Sequence, residues 1–319
     1  MIISKTPFRI SFFGGGTDYP IWFQEHNGAV LGTSIDKYCY IMVRQMPPYF
    51  QDKHRIVYKE EEFVNRFDKI KHPAIRECLH YMKVDSGLEI IHWADMPARK
   101  GMGSSSAFTV GLLNALHTLK GETCDRATLA QEAIDIEQNW IKENVGCQDQ
   151  FLTAVGGMNF IDFGKSTSIT PLLLQNNLID YLLLFDTGFS HIASEVAGKV
   201  IQDIPDRKKV MTEMYNLTYA ARNYLYSDLI RFGKALGEVW ELKKAMSGAV
   251  SNKYIDGIYE KGISAGALGG KLLGAGQGGY VLFFVEPDKQ DSIRKAVGLK
   301  EVNFSFENTG SQIIYSDVL

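Results

Sequence analysis

The sequence predicts a two-domain α+β protein, and three observations carry that expectation. Short β-rich runs, AVLGTSI (29–35), YCYIMVR (38–44) and GLEIIHW (87–93), fill the first ninety residues, and two amphipathic helices follow. Beyond residue 180 the elements run strand, helices, strand, strand, helix, strand, which is the split βαβ sandwich with extra helices in its first crossover. Between the two patterns lies PLLLQNN (171–177), where the boundary falls, giving an N-terminal unit over 1–172 and a C-terminal unit over 173–319. A chain of 319 residues is about twice the usual domain size and leaves room for both cores.

Each element has a local reason. MIISKTPFRISFF alternates apolar and polar residues as a strand does, carries no basic leader with a cleavage site, and no run reaches the ~18 apolar residues of a membrane span. HPAIRECLHYM (72–82) reads as a helix; Cys78, His80 and His72 match no metal-ligand spacing. The first long helix spans about Ser104 to Leu119, with Phe108, Leu112, Ala115, Leu116 and Leu119 on one face and Gly121 as its stop. The second spans about Asp125 to Lys142. Strands near GMNFIDF and STSIT close the N-terminal unit. Next come YLLLFD (181–186), long helices through 205–265, KLL (271–273), YVLFFVE (280–286), helix DKQDSIRKAV and strand VNFSFE. The 34 basic and 37 acidic residues leave a formal charge of -3, which argues against nucleic-acid and membrane partners, and four scattered cysteines fit a reducing, cytoplasmic location.

The stretch RKGMGSSSAF (99–108) places two glycines and three serines at a helix start. One serine would suffice as an N-cap. Two glycines let a ligand approach the backbone, and free N–H groups with the helix dipole make an anion site, so phosphate is the expected guest. It is not a Walker A loop, because Lys100 precedes the glycines, nor a dinucleotide fingerprint, because Ser106 stands at the third glycine. In the second helix Ala130, Ala133, Ile134, Glu137 and Ile141 share a face, so a carboxylate interrupts an apolar stripe and needs a cationic partner, Arg, Lys or a metal ion, unless it lies at the stripe's edge. Twelve residues later Asp149, in NVGCQDQF, follows on a loop, where it either caps the next helix or serves as a base. TPFRISFFGGGTDYP joins Arg9 and Asp18 to a triple-glycine turn, and KLLGAGQGGYVLFF holds a turn richer in glycine than a hairpin requires.

These three segments resemble, in order and spacing, the three motifs of the GHMP small-molecule kinases, which include galactokinase, homoserine kinase and mevalonate kinase. Pro97, Gly101, Gly103, Ser104 and Ser105 match the middle motif P-x-x-x-G-x-G-S-S-A, with Ser106 placed before Ala107; Arg9, Gly14, Thr17, Asp18 and Tyr19 keep the galactokinase spacing of the first. The resemblance implies an N-terminal domain like ribosomal protein S5 domain 2, a C-terminal ferredoxin-like domain, and an active site between them. It implies that Gly101, Met102, Gly103, Ser104, Ser105 and Ser106 wrap the phosphates of ATP, that Ser105 and Glu137 hold Mg²⁺, that Asp149 takes the substrate hydroxyl's proton, and that Arg9 orients the attack. Asp18 with Thr17, Gly15, Gly16, Gly276 and Gly278 lies on the substrate side by the same reasoning.

Where galactokinase carries Glu-His this chain has Gly15-Gly16, which removes two side chains that would read a hexose. The run FRISFFGGGTDYPIWF is similar to the branch that phosphorylates the anomeric hydroxyl of D-glycero-D-manno-heptose 7-phosphate, for nucleotide-activated heptose in capsule or surface polysaccharide; kinases of L-fucose are its relatives. A sugar phosphate calls for cations, and Lys37, Arg99 and His191 are available. Members of the superfamily that bind sugar and ATP only as sensors form the alternative class, but Asp149, Glu137 and Ser105 are all present here. A monomer or a homodimer is expected.

Overall fold

The computed structural model of the chain describes residues 1–190 and 193–317. Strand β1 (Ile2–Phe13) is buried along most of its length and runs antiparallel to β2 (Gly28–Gln45), with the short helix α1 (Pro20–His26) between them. The two strands expected over 29–44 are therefore one. A register shift beside Pro7 and Phe8, opposite Ile35 and Tyr38, accommodates Asp36 and Lys37 as extra residues, which bends the long strand without ending it. The hairpin β3 (His54–Val57) and β4 (Glu61–Val64) is not foreseen by the sequence, because its polarity is inverted in β4, where Glu62 is buried and Phe63 is exposed. Helix α2 (Pro73–Tyr81) follows, and then β5 (Leu88–Ala94), which pairs with β2.

Helix α3 (Ser104–Leu119) has its expected bounds, with Gly121 at φ 72° just beyond its end. It is buried on most sides and packs on β1 and β2. The next helix departs from expectation. Helix α4 (Arg126–Asp135), capped by the Asp125 carboxylate on the amides of Ala127 and Thr128, widens into a π turn over Ile136–Trp140. Glu137 sits on that turn, and such single-turn widenings are frequently functional. Helix α5 (Gln148–Val155) leads to β6 (Met158–Phe163) and β7 (Ser168–Pro171).

The C-terminal part contains β8 (Leu182–Asp186), α6 (Ala193–Asp203), α7 (Lys208–Ser227), α8 (Leu229–Met246), α9 (Lys253–Ser264), β9 (Gly269–Leu272), β10 (Tyr280–Phe284), α10 (Gln290–Val297) and β11 (Lys300–Glu301). Among the described residues its sheet runs β11-β8-β10-β9, all antiparallel, the order of a split βαβ sandwich. The strand expected over 302–307 is a correction: β11, just before it, joins this sheet, and of the expected range the Val302 amide bonds to the Leu184 carbonyl of β8. The chain then crosses back, and β12 (Phe306–Glu307) pairs with β2 while β13 (Gln312–Ser316) pairs with β1. Those last strands complete the N-terminal sheet, whose main path reads β13-β1-β2-β5-β3-β4.

The two parts share apolar and polar contacts. Phe232 of α8 meets the rings of Phe12 and Phe13 edge-on at 5.8 and 5.1 Å. The buried Lys271 ammonium on β9 donates to the carbonyls of Ser11 (3.0 Å) and Phe12 (2.8 Å), and Lys100 of the serine loop pairs with Asp186 at the end of β8 at 2.7 Å. These contacts fix the end of β1, and the glycine turn that follows it, against the C-terminal sheet.

Candidate active site

The serine loop and the C-terminal glycine turn press backbone on backbone. Gly101 and Gly274 both hold positive φ, at 78° and 76°, and a methyl group on Gly274 would stand 2.3 Å from the Gly101 Cα. A methyl on Gly279 would stand as close to the Lys100 carbonyl. Glycine is required because no Cβ fits, and the contact sets the curvature of the loop ahead of α3. Gly103, at φ 72°, ends the loop, so Ser104, Ser105 and Ser106 occupy the first turn of α3, where N–H groups have no intrahelical acceptor. An anion-binding start to a helix is the result.

Arg9 lies under this loop. Its Nε donates to Asp149 Oδ1 at 2.7 Å, its Nη2 to Asp149 Oδ2 at 2.6 Å, and its Nη1 to the Gly101 carbonyl at 2.7 Å. The guanidinium fork therefore ties the candidate base to the candidate phosphate loop. Asp149 is not on a loop and does not cap: Cys147 takes the cap position of α5 and Asp149 stands in the first turn, partly exposed. Each of its oxygens keeps a lone pair beyond the bond from Arg9, so it can still accept a proton.

Asp18 is buried beside them. It accepts from the amides of Gly16 (2.8 Å) and Gln148 (3.2 Å), and a methyl on Gly146 would stand 2.0 Å from its Oδ2. Burial raises its pKa, the two amides oppose that rise, and Asp149 adds to it. At Gly15 a side chain would meet the Gln148 amide at 3.3 Å and the Ser11 hydroxyl at 3.6 Å; Ser11 Oγ and Gln148 Oε1 are themselves buried without hydrogen-bond partners. That corner therefore holds two buried polar atoms that lack partners. Gly16, at φ 114°, faces Met246 instead, only 2.8 Å from where its Cβ would be.

Glu137 is fully buried. Its Oε2 accepts from Ser106 Oγ at 3.0 Å and Gln150 Nε2 at 2.5 Å, while its Oε1 has no hydrogen-bond partner. Burial pushes its pKa up to about 7, against the lowering effect of the Thr109, Gln150 and Ser106 groups. A carboxylate with an orphaned oxygen beside a hydroxyl fits a divalent cation, which would restore its charge. The neighbouring hydroxyl belongs to Ser106; Ser105 is exposed, because the first helical turn directs the two side chains to different faces.

Several expected residues have other tasks. The Thr17 hydroxyl is buried and bonded to the backbone, its one donor shared between the Gly14 and Ala29 carbonyls (2.8 and 2.9 Å) while it accepts from the Ala29 amide, so it pins the turn and has no donor left for a substrate. Lys37, in the β2 register shift, already has a carboxylate partner, Asp36, 3.0 Å away. Arg99 is exposed at φ 63° and opposes the burial that raises the Glu143 carboxyl. Gly276, at φ 139°, packs on the Val250 backbone, and Gly278 is buried in the same turn. His191 lies outside the described residues.

The sequence reading missed two lysines. Lys271 caps the end of β1, and Lys243 of α8, also buried, donates to the Gly274 carbonyl. The signal for Lys243 was present: Phe232, Leu236, Val239, Trp240, Lys243 and Met246 make one buried stripe of α8, interrupted by a charge just as Glu137 interrupts its own.

An anion-binding loop, a clamped carboxylate beneath it and a buried acid at a cation-ready site define a small-molecule phosphotransferase fold, and the chain belongs to the GHMP kinases: the models of the GHMP kinases N terminal domain and of the GHMP kinases C terminal domain match residues 68–157 and 217–302. The D-glycero-alpha-D-manno-heptose 7-phosphate kinase of Campylobacter jejuni is 28% identical over 97% of both chains. The L-fucokinase/L-fucose-1-P guanylyltransferase of Bacteroides fragilis is 23% identical over 92% of this chain and 35% of its own length. Among solved structures, a D-glycero-D-manno-heptose 1-phosphate kinase from Bacteroides thetaiotaomicron superposes with a TM-score of 0.80 at 21% identity, over 99% of this chain and 100% of its own.

Proposed function

We propose that this chain is an ATP-dependent sugar kinase that phosphorylates the anomeric hydroxyl of D-glycero-D-manno-heptose 7-phosphate to give the 1,7-bisphosphate, a precursor for nucleotide-activated heptose. The observation that carries the phosphotransfer reading is Arg9, bonded at once to both oxygens of Asp149 and to the Gly101 carbonyl, which couples a proton acceptor to a phosphate loop. The heptose choice rests on the likeness to the Campylobacter jejuni enzyme along nearly the whole chain and on glycine at position 15, where Gln148 and Ser11 take the place of a larger side chain.

In this reading the first-turn amides of α3 hold the ATP phosphates, and Asp18, with Gln148 and Ser11 beside it, receives hydroxyls of the sugar. Asp149 takes the proton of the anomeric hydroxyl as its oxygen bonds to the γ-phosphorus and the bond to the bridging oxygen of ADP breaks. Arg9 keeps the Asp149 carboxylate aimed and offsets the charge that accumulates. Glu137 and the Ser106 hydroxyl would hold Mg²⁺, which when bound neutralises phosphate charge. ATP consumption against a panel of free and phosphorylated sugars tests the proposal. Turnover confined to sugars bearing a phosphate supports it, and a chain that binds both ligands without turnover is a sensor.

A further inference from the structure

Lys243 is a buried cation that this mechanism leaves without a task. Among the described residues its hydrogen-bond partner is the Gly274 carbonyl, so two of its three N–H donors remain available. Gly274 lies backbone against backbone on Gly101, the phosphate-loop glycine whose carbonyl Arg9 holds. The charged groups facing Lys243 are Arg9 from β1, Asp18 from the turn after it, Asp149 from α5 and Lys271 from β9. Holding one carbonyl needs no charge, and burying an ammonium is costly unless an anion compensates it. The two carboxylates are already occupied, Asp149 by Arg9 and Asp18 by backbone amides. The site therefore presents more positive charge than it has used, next to the phosphate loop and the base, where a phosphoryl group passes. The far end of a heptose lies the length of the sugar away from that point.

We propose that Lys243 is a catalytic residue whose ammonium contacts the oxygens of the phosphoryl group during its transfer, a positive charge delivered by the C-terminal domain opposite the serine-loop amides. This rests on the kinase reading above. The step is unchanged in its balance: the sugar oxygen bonds to phosphorus, the bridging bond to ADP breaks, and the hydroxyl proton goes to Asp149. Lys243 adds charge stabilisation that grows as the transition state forms, which lowers the barrier without tightening ATP binding.

Burial and the Arg9 charge hold the Lys243 pKa down to about 8, with Asp18 and Asp149 opposing. The protonated form is the useful one, so kcat/KM, which reports the free enzyme, should be full below pH ~8 and fall as pH rises through it. Bound phosphates favour the ammonium, so the same limb in kcat should lie at higher pH. The experiment compares wild type, Lys243→Met and Lys243→Arg in steady-state kinetics across pH, with ADP–aluminium fluoride affinity measured alongside ADP affinity. Expected are a ~10²–10³-fold lower kcat in Lys243→Met, ADP affinity within about 3-fold, loss of the preference for ADP–aluminium fluoride, and partial rescue with no limb near pH 8 in Lys243→Arg. Wild-type kcat in Lys243→Met, or an unmoved limb in Lys243→Arg, overturns the proposal. If Lys243→Met does not fold, the Arg variant and its pH profile carry the test alone. Should the wild type turn over no sugar, the kinase reading fails, and the analogue affinities still judge the lysine.

Discussion

At the residue scale the account turns on which side chain holds which charge. Asp149→Asn keeps the shape but accepts no proton, so kcat should fall ~10²–10⁴-fold with nucleotide affinity nearly unchanged; the lower end is expected because an anomeric hydroxyl is more acidic than an ordinary alcohol. Steady-state kinetics with a nucleotide titration reads both, and turnover close to wild type removes Asp149 from the chemistry. Glu137→Gln should raise the Mg²⁺ concentration needed for activity, and Ser106→Ala should do so more mildly, while Ser105→Ala should leave the Mg²⁺ titration close to wild type. A larger effect at Ser105 than at Ser106 would restore the serine the motif spacing pointed to. Glu137 was legible in sequence because a carboxylate in an apolar stripe breaks a pattern. The choice between adjacent serines was not, since a motif gives an order along the chain and the face of the first helical turn decides contact. Thr17 shows the same limit: it lies in the turn beside Asp18 as its spacing implied, but its buried hydroxyl bonds to the backbone of Gly14 and Ala29, which spacing does not reveal.

At the scale of elements, long periodic segments were read well and interruptions were not. Helix α3 has its expected bounds because a largely buried helix bounded by Gly103 and Gly121 has few alternatives. The π turn in the next helix was invisible, since one extra residue in a turn leaves composition unchanged while moving Glu137 relative to the stripe. The return of β12 and β13 to the N-terminal sheet depends on pairing across nearly the whole chain, which local pattern does not encode. The contact of the two glycine turns is the element-level basis of the phosphate loop. Gly274→Ala combines a φ of 76° with a methyl 2.3 Å from backbone, so the loop must shift. ATP affinity should drop by ~10-fold or more while the thermal transition moves only modestly. Wild-type affinity would show that the loop holds its shape without this contact.

At the scale of the whole molecule, the C-terminal part acts on chemistry that the N-terminal part carries. Lys271 fixes the end of β1, Lys100 and Asp186 join the serine loop to β8, and Lys243 meets the loop from α8. Among the described residues no helix is long and apolar enough to cross a membrane. A site built from both parts can hold a small molecule between them, and in the proposed reading charge-assisted bonds to a distant phosphate would supply binding energy for positioning the reacting hydroxyl. The most direct measurement is kcat/KM for D-glycero-D-manno-heptose 7-phosphate against the dephosphorylated heptose and L-fucose, under one Mg²⁺ and ATP concentration. The heptose phosphate should lead both by ~10²-fold or more, because a free sugar forgoes the charge-assisted contacts that a distal phosphate would make. Comparable values for L-fucose and the heptose phosphate would contradict the assignment and move the chain to the fucose-kinase branch.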